Sequence, residues 1–212
     1  QSSAASDVYK RQAKEYVKKI YKSFKDAGYQ LKIEPYLLDA SKMGVPQRRQ
    51  RVFFIALRND LADPFMYNVD MFQTAPKLVL DFNEKEIPYK EIEKSNIKQD
   101  NITHIPEGIL PYWKKIKEGR SCADAHEKGH YFQELKLDRN RALPTLRAGS
   151  NSYYHYKEER RLYDIEIILG GSYPKDYDFL NNKPIYLVGM SVPPLMIAKI
   201  SEQIYLPVSY TH

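Results

Sequence analysis

At 212 residues, with a formal net charge of +6 and a pI near 9.1, the chain has room for one domain or two small ones, and its basic balance favours polyanions such as nucleic acid. A hydrophobic content of 42% excludes a disordered polymer, and no apolar run approaches the roughly 20 residues of a membrane helix. The single cysteine, Cys122, excludes an internal disulfide and suits a reducing compartment.

In chain order, the first stretch to read is the N-terminal tail. Residues 2–12, SSAASDVYKRQ, and residues 208–212, VSYTH, read as translations of a transposon adapter used in sequencing libraries, one in each orientation. Segments 1–12 and 207–212 are therefore set apart from the fold as adapter-derived tails. The expectation is an assembled piece of a longer gene, with no signal peptide. From Ala13 to Ala27, apolar Tyr16, Val17, Ile20, Tyr21 and Phe24 recur at helical spacing among lysines, and Gly28 is a stop. Residues 29–38 are strand-like, with Pro35 limiting ladder pairing. A second strand is expected from about Arg51 to Leu57, apolar on both faces and so covered on both sides. From Arg58 to about Ser150 prolines interrupt every period, which predicts a separate loop-rich subdomain. A helix returns over Leu162–Leu169 and stops at Gly170-Gly171. The last helix runs from about Pro193 to Tyr205, its buried stripe read as Leu195, Ile197, Ala198, Ile200, Ser201 and Ile204.

The segment MGVPQRRQRVFFIAL, residues 43–57, carries the strongest chemical signal. On an extended backbone Gln47, Arg49 and Arg51 project together, with Arg48 and Gln50 opposite. Guanidinium forks at the mouth of a buried strand can hold a carbonyl or phosphate oxygen. The alternative is a solvated strand end paired with local carboxylates.

This segment resembles the Gln-x-Arg-x-Arg motif of DNA cytosine-5 methyltransferases, with Met43 where that family commonly has tyrosine. Residues 159–179, ERRLYDIEIILGGSYPKDYDF, are similar to the family's Arg-x-Leu-Thr-x-x-Glu segment through Arg160, Leu162 and Glu166, with Tyr163 in place of threonine. Residues 187–204, LVGMSVPPLMIAKISEQI, resemble the closing Gly-Asn-Ser-Val-Pro-Pro motif, with Met190 in place of asparagine. The pair Thr145-Leu146 is similar to the Thr-Leu of the family's target-recognition domain. The motifs stand in the family's order, with a variable insert after the first.

The resemblance implies an α/β fold: the C-terminal half of a Rossmann-like S-adenosylmethionine-dependent methyltransferase with an inserted small, irregular, β-rich target-recognition subdomain. Residues 13–75 and 151–206 would then belong to the catalytic domain and 76–150 to target recognition. It further implies transfer of a methyl group from S-adenosylmethionine to C5 of a cytosine in a specific DNA sequence, within a restriction–modification or phage system. In such a reaction the cytosine is flipped out of the duplex, a cysteine thiolate attacks C6, and donors placed at the ring carbonyl lower the barrier. Arg51 is expected to donate to the cytosine O2, Arg49 to order the site or meet a phosphate, and Gln47 to orient the arginines. Gly189 and Ser191 carry over as S-adenosylmethionine contacts. The Pro-Cys nucleophile, the Phe-x-Gly-x-Gly cofactor loop and the Glu-Asn-Val segment do not occur in this sequence. The expectation is therefore no methylation by this chain alone.

The implied partner is double-stranded DNA, met by a monomer in the cytoplasm of a bacterium or phage-infected cell, with no membrane and no direct contact with a cognate endonuclease. Lys114, Lys115, Lys117 and Arg120, in YWKKIKEGR, are expected at DNA phosphates along with Thr145 and Leu146, although a charge run is also read as a solvated face. Asn151 to Arg161 mixes aromatics with bases of the chain, which suits either stacking on nucleobases or packing between subdomains. Cys122, His126 and His130 fall at helical spacing, but Gly129 disfavours a helix there and no metal is expected. An RNA cytosine-5 methyltransferase of similar architecture, or a non-catalytic nucleic-acid-binding module, are the alternatives; the long insert favours DNA, since reading base edges takes surface.

Overall fold

The computed structural model describes residues 2–31, 35–61, 78, 80–94, 103–129, 134–149 and 151–209. His130 lies outside them. The chain divides into two compact units, one of residues 1–38 and 52–79, the other of residues 39–51 and 80–212.

The first unit is built on helix α1, Ser2–Asp26, whose last turn closes with Gly28 N–H on the Lys25 carbonyl at 3.0 Å. The helical period read from Ala13 therefore holds, and the helix also takes in residues set apart as a tail. Strand β1, Tyr29–Leu31, pairs antiparallel with β4, Ala56–Arg58, Tyr29 opposite Arg58 and Leu31 opposite Ala56. Edge-to-face aromatic pairs tie α1 to β1 and to the residues just before β4, Phe24 with Tyr29 at 5.9 Å and Tyr21 with Phe54 at 6.0 Å. Strand β2, Tyr36–Asp39, pairs with β3, Gln50–Phe53. The single strand expected over 51–57 is thus two, interrupted at Phe54-Ile55.

In the second unit, α2 spans Leu110–Lys115 and places Trp113 inward, where its indole N–H donates to the His155 carbonyl at 3.1 Å. Ile105, Ile109, Trp113, Ile116, Cys122 and Tyr154 form one apolar cluster. Two-residue strands β5, Leu135–Lys136, and β6, Tyr153–Tyr154, run parallel. Among the described residues every sheet has two strands. A larger core gathers Tyr89, Leu137, Leu143, Leu146, Leu162, Ile167, Ile185 and Val188.

Three helices close the chain: α3 at Asp164–Gly170, α4 at Pro184–Met190, and α5 at Pro194–Ser209. The α4 helix was not read from the sequence, because only two of its seven residues, Ile185 and Val188, are buried. The stretch Pro184–Tyr205, 22 residues, is by length and composition long and apolar enough to cross a membrane, contrary to the expectation that no run approaches it. The corner Ser191-Val192-Pro193 breaks it, and Ile185, Val188, Met196 and Ile200 are buried in the protein. The stripe on α5 also differs from expectation. Met196 and Ile200 face the core, while Ile197 is 42% exposed and Ala198 and Ser201 face out. The corner at Pro193 sets the helix phase, and the Ser172 hydroxyl, accepting from Leu195 N–H at 3.2 Å, holds it.

Candidate functional site

Residues 44–49 do not form a regular strand. Gln47 makes an isolated parallel bridge to Leu143, with Arg48 N–H on the Leu143 carbonyl at 2.7 Å and Leu143 N–H on the Pro46 carbonyl at 3.0 Å. This lays the Gln-x-Arg-x-Arg segment alongside Leu143–Leu146. Their backbones satisfy one another, so polar side chains can be buried between them without orphaned amides.

Gln47 is fully buried and reads both neighbours. Its amide nitrogen donates to the Gly170 carbonyl at 3.1 Å, and its amide oxygen accepts from Leu146 N–H at 3.2 Å and from Arg49 Nη1 at 3.4 Å. Arg49 is 1% exposed; its backbone N–H donates to Asp39 Oδ1 at 3.3 Å, while its guanidinium is held by carbonyl oxygens, those of Leu146 at 3.0 Å, Gly189 at 2.8 Å and Ser191 at 2.7 Å, and by the Gln47 amide oxygen at 3.4 Å. Burial, and then the charge of nearby Arg51, lower its pKa to about 10, so it stays cationic at neutral pH. One guanidinium thereby joins segments that are 97 to 142 residues apart in sequence.

Gly189 is where α4 meets this cradle. A Cβ there would stand 2.2 Å from Ala148 N and 2.5 Å from the Arg147 carbonyl carbon, so only glycine admits the backbone of residues 147–148. The helix does stop at Gly170-Gly171, with Gly171 as its C-terminal cap, and both glycines in addition sit close against neighbouring side chains. Added Cβ atoms would lie 2.5 Å from Leu143 Cδ1 and 2.7 Å from Val188 Cγ1, and Gly171 has an ordinary helical φ of −83°.

Arg51 faces outward. Its Nη1 donates to the neighbouring Gln50 carbonyl at 2.7 Å, in an exposed setting. The structure therefore separates the three residues expected on one face: Gln47 and Arg49 turn in, Arg51 turns out. Thr145 donates its hydroxyl to the Arg48 carbonyl at 2.8 Å, and its own carbonyl accepts from Tyr153 Oη at 2.6 Å. Leu146, expected at the DNA, has a fully buried side chain and serves the site through its backbone. Lys114 pairs with Glu159 at 2.8 Å and Arg120 with Asp124 at 2.8 Å; Lys115 and Lys117 are exposed. The structure does not bring these four lysines and arginines into the Arg49 cradle.

Gly189 and Ser191, expected at S-adenosylmethionine, stand at the C-terminal corner of α4 and are tied into the Arg49 cradle. Both carbonyls are taken by Arg49, Ser191 N–H donates to the Leu187 carbonyl at 3.0 Å, and its hydroxyl donates to the Val188 carbonyl at 3.1 Å. Met190, in the asparagine position, is 66% exposed.

A second polar cluster underlies the site. Glu166, fully buried, accepts from Arg160 Nη1 at 2.9 Å and Nη2 at 3.1 Å, Tyr89 Oη at 2.9 Å, Lys94 N–H at 3.0 Å and Tyr163 N–H at 2.8 Å. Burial acts to lower the Arg160 pKa, but Glu166 and Glu158 outweigh it and raise it. His155, 1% exposed, meets Glu93 through Nε2 at 2.9 Å, while Nδ1 accepts from Lys157 N–H at 3.1 Å and Glu158 N–H at 2.8 Å. Two donors on Nδ1 fix the tautomer with the proton on Nε2. Burial and the Arg160 charge lower its pKa. Of the two readings of Asn151–Arg161, packing is thus the one that fits Tyr153, Tyr154 and His155, all buried. Cys122, also buried, has its thiol pushed up to about 11 by burial and then by Glu134, the opposite of an activated nucleophile. It opens a 3-10 turn, Cys122–Ala125, so the α-helical alignment with His126 does not form.

Sequence reasoning missed Tyr89, whose partner Glu166 lies 77 residues further along the chain, whereas Tyr153 and His155 fall in the Asn151–Arg161 stretch already singled out. Gly189 was singled out, but for ligand contact rather than close packing.

These features occur on a chain that matches the C-5 cytosine-specific DNA methylase family over residues 6–206, and it belongs to that family. The Type II methyltransferase M.BbvI of Brevibacillus brevis is 25% identical over 174 residues, covering 78% of this chain and 46% of that protein. Among solved structures, a prophage-encoded E. coli protein described as a DNA modification methyltransferase is similar at a TM-score of 0.62 and 17% identity, covering 92% of this chain and 66% of that one. Spodoptera frugiperda DNMT2 is similar at 0.58 and 15%, covering 89% and 62%. The chain spans about half the length of the curated relatives it matches. Its fold is the mixed α/β methyltransferase fold of these neighbours.

Proposed function

We propose that the chain is the base-supporting and DNA-recognising part of a DNA cytosine-5 methyltransferase of a restriction–modification system, the overall reaction moving a methyl group from S-adenosylmethionine to C5 of cytosine. The observation that carries this reading is the Arg49 guanidinium, which draws the Gln-x-Arg-x-Arg segment, the Thr-Leu segment and the closing Gly-x-Ser motif onto one point. In this reading Arg49 and Gln47 are positioning residues. They fix the strand so that Arg51, beside them and turned outward, meets the O2 of a cytosine extruded from the duplex. A donor held there ahead of the reaction opposes the charge that builds on the ring. The Thr-Leu segment shares the same frame, which ties residues of the recognition region, 76–150, to the base-supporting strand. The proposed enzyme acts on duplex DNA as a monomer in the bacterial cytoplasm. Gly189 and Ser191, whose carbonyls accept from Arg49, form the corner at which S-adenosylmethionine would be met.

The only cysteine is buried with a raised pKa and lacks a preceding proline, so the chain by itself is expected to transfer no methyl group. The test joins it to an upstream segment carrying a Pro-Cys and a glycine-rich loop, then measures methyl incorporation into duplex DNA. Arg51→Ala should abolish turnover while duplex affinity stays nearly intact; undiminished turnover overturns the Arg51 role. Tighter binding to an RNA duplex of equal length overturns the choice of DNA.

A further inference from the structure

Resting on the DNA reading above, we propose that Lys90, Arg139 and Arg141 form one edge of the second unit that takes the phosphates of a DNA duplex. No motif marks these residues in the sequence; backbone hydrogen bonds bring them together. Arg139 and Asn140 are the central residues of a tight turn. It is closed by Arg141 N–H on the Asp138 carbonyl at 3.3 Å and by Asn140 N–H on Asp138 Oδ1 at 2.9 Å. The turn is stapled to a much earlier segment: Tyr89 N–H donates to the Arg141 carbonyl at 2.9 Å and Lys90 N–H to the Arg139 carbonyl at 3.0 Å. Lys90 Nζ reaches Asn140 Oδ1, 50 residues on, at 3.4 Å. Both segments are anchored from beneath. Tyr89 is fully buried with its hydroxyl on Glu166, and Ala142 and Leu143, next after the turn, are buried too. The backbone here is a fixed frame, so side chains presented from it give up little backbone freedom on binding.

The surroundings of the three cations select the kind of ligand. Lys90, Arg139 and Arg141 are exposed, and among the described residues none of their side chains pairs with a carboxylate. Two acids of this edge bond backbone amides instead: Asp138 that of Asn140, and Glu118, through Oε2, that of Arg139 at 3.3 Å. The Arg139 guanidinium stands over the Tyr156 ring at 5.3 Å, and the Tyr156 hydroxyl is held by Glu93 at 3.1 Å. A cation over a ring face keeps its charge and its N–H donors. Guanidinium offers phosphate a fork and lysine a point charge, so the three suit the closely spaced phosphates of a duplex. Such contacts fix the register of a duplex without reading its sequence. The turn runs directly into Leu143, whose N–H is bonded to the Pro46 carbonyl at 3.0 Å. A duplex held at this edge is thereby registered against the base-supporting segment.

The experiment measures binding of the chain to a random-sequence DNA duplex over a range of salt concentrations. Each phosphate contact adds about 0.9 to the magnitude of the slope of log K against log salt. Arg141→Ala comes first, because its side chain has no partner among the described residues whose loss would unsettle the fold. It should lower that magnitude by about 0.9 and melt at the wild-type temperature. Adding Lys90→Ala and Arg139→Ala should bring the total loss to about 2.7, whereas Arg139→Lys with Arg141→Lys should keep the wild-type slope. Lys175→Ala, at an exposed lysine after α3, should leave the slope unchanged. An unchanged slope in Arg141→Ala, an equal loss in Lys175→Ala, or a triple variant no weaker than the single one overturns the edge and leaves the DNA reading standing. Absence of duplex binding by the wild-type chain overturns the DNA reading and this inference with it.

Discussion

Two buried arginines of the second unit have opposite surroundings. Arg160 is locked to the carboxylates of Glu166 and Glu158, and its charge is cancelled where it stands. Arg49 is equally buried but is held by four neutral oxygens, from Gln47, Leu146, Gly189 and Ser191. The first arrangement is a structural knot: burial costs each ion several kcal/mol, and pairing with extra hydrogen bonds offsets it. The second leaves the guanidinium with no carboxylate among its hydrogen-bond partners. The lesson is that a buried arginine is not evidence of an ion pair. The acceptors decide whether its charge is spent inside the fold or is still available outside it.

The largest effect expected from breaking this comparison is at the knot. Glu166→Ala strands Arg160 and removes the acceptor of Tyr89 and of two backbone amides, and should cost about 3–5 kcal/mol in urea unfolding. A loss no larger than that of an exposed carboxylate would show that the knot is not a stabilising centre. At the cradle, Arg49→Lys keeps the charge but cannot span four oxygens with a compact ammonium, and about 2 kcal/mol should be lost by the same assay. If lysine substitutes freely, charge alone matters there and the fork geometry does not.

The His155 environment sharpens the comparison through pH. Its folded pKa is depressed, so the unfolded chain takes up the proton first. Its contribution to stability is complete above the unfolded value near 6.5 and declines as pH falls below it, with a slope of at most about 1.4 kcal/mol per pH unit for one proton. His155→Gln should flatten the melting-temperature profile between pH 6.5 and lower values; an unaltered profile places the titration elsewhere. The smallest effect is at Arg51, two residues from Arg49, whose guanidinium donates to the adjacent Gln50 carbonyl in an exposed setting. Arg51→Ala should change stability by less than about 0.5 kcal/mol. A larger loss would mean that Arg51 supports the fold as Arg49 does.

How much was legible in advance varies from element to element. The helical period from Ala13 and the helix after Tyr163 could be read, since apolar spacing and the Glu166 contact back to Tyr163 N–H are local. The strand expected over 51–57 could not be divided at Phe54-Ile55, because an unbroken apolar run gives no sign of where a ladder ends. The face of α5 was misplaced for a related reason: its phase depends on the corner at Pro193 and on Ser172, which lies far back in the chain.

At the site, the sequence by itself singled out Gln47, Arg49 and Arg51 in alternation, a Thr-Leu pair, and a glycine before Ser-Val-Pro-Pro, in an order that resembles the family to which the chain belongs. Only the tertiary structure decided what each one does. Alternation predicts a shared face for an isolated strand, but the bridge to Leu143 and the approach of Gly189 bury two of the three side chains and leave the third outside. Hydrogen-bond acceptors supplied from 97 to 142 residues away leave no trace in local spacing, and they separate an arginine that holds the protein together from one that is turned toward solvent.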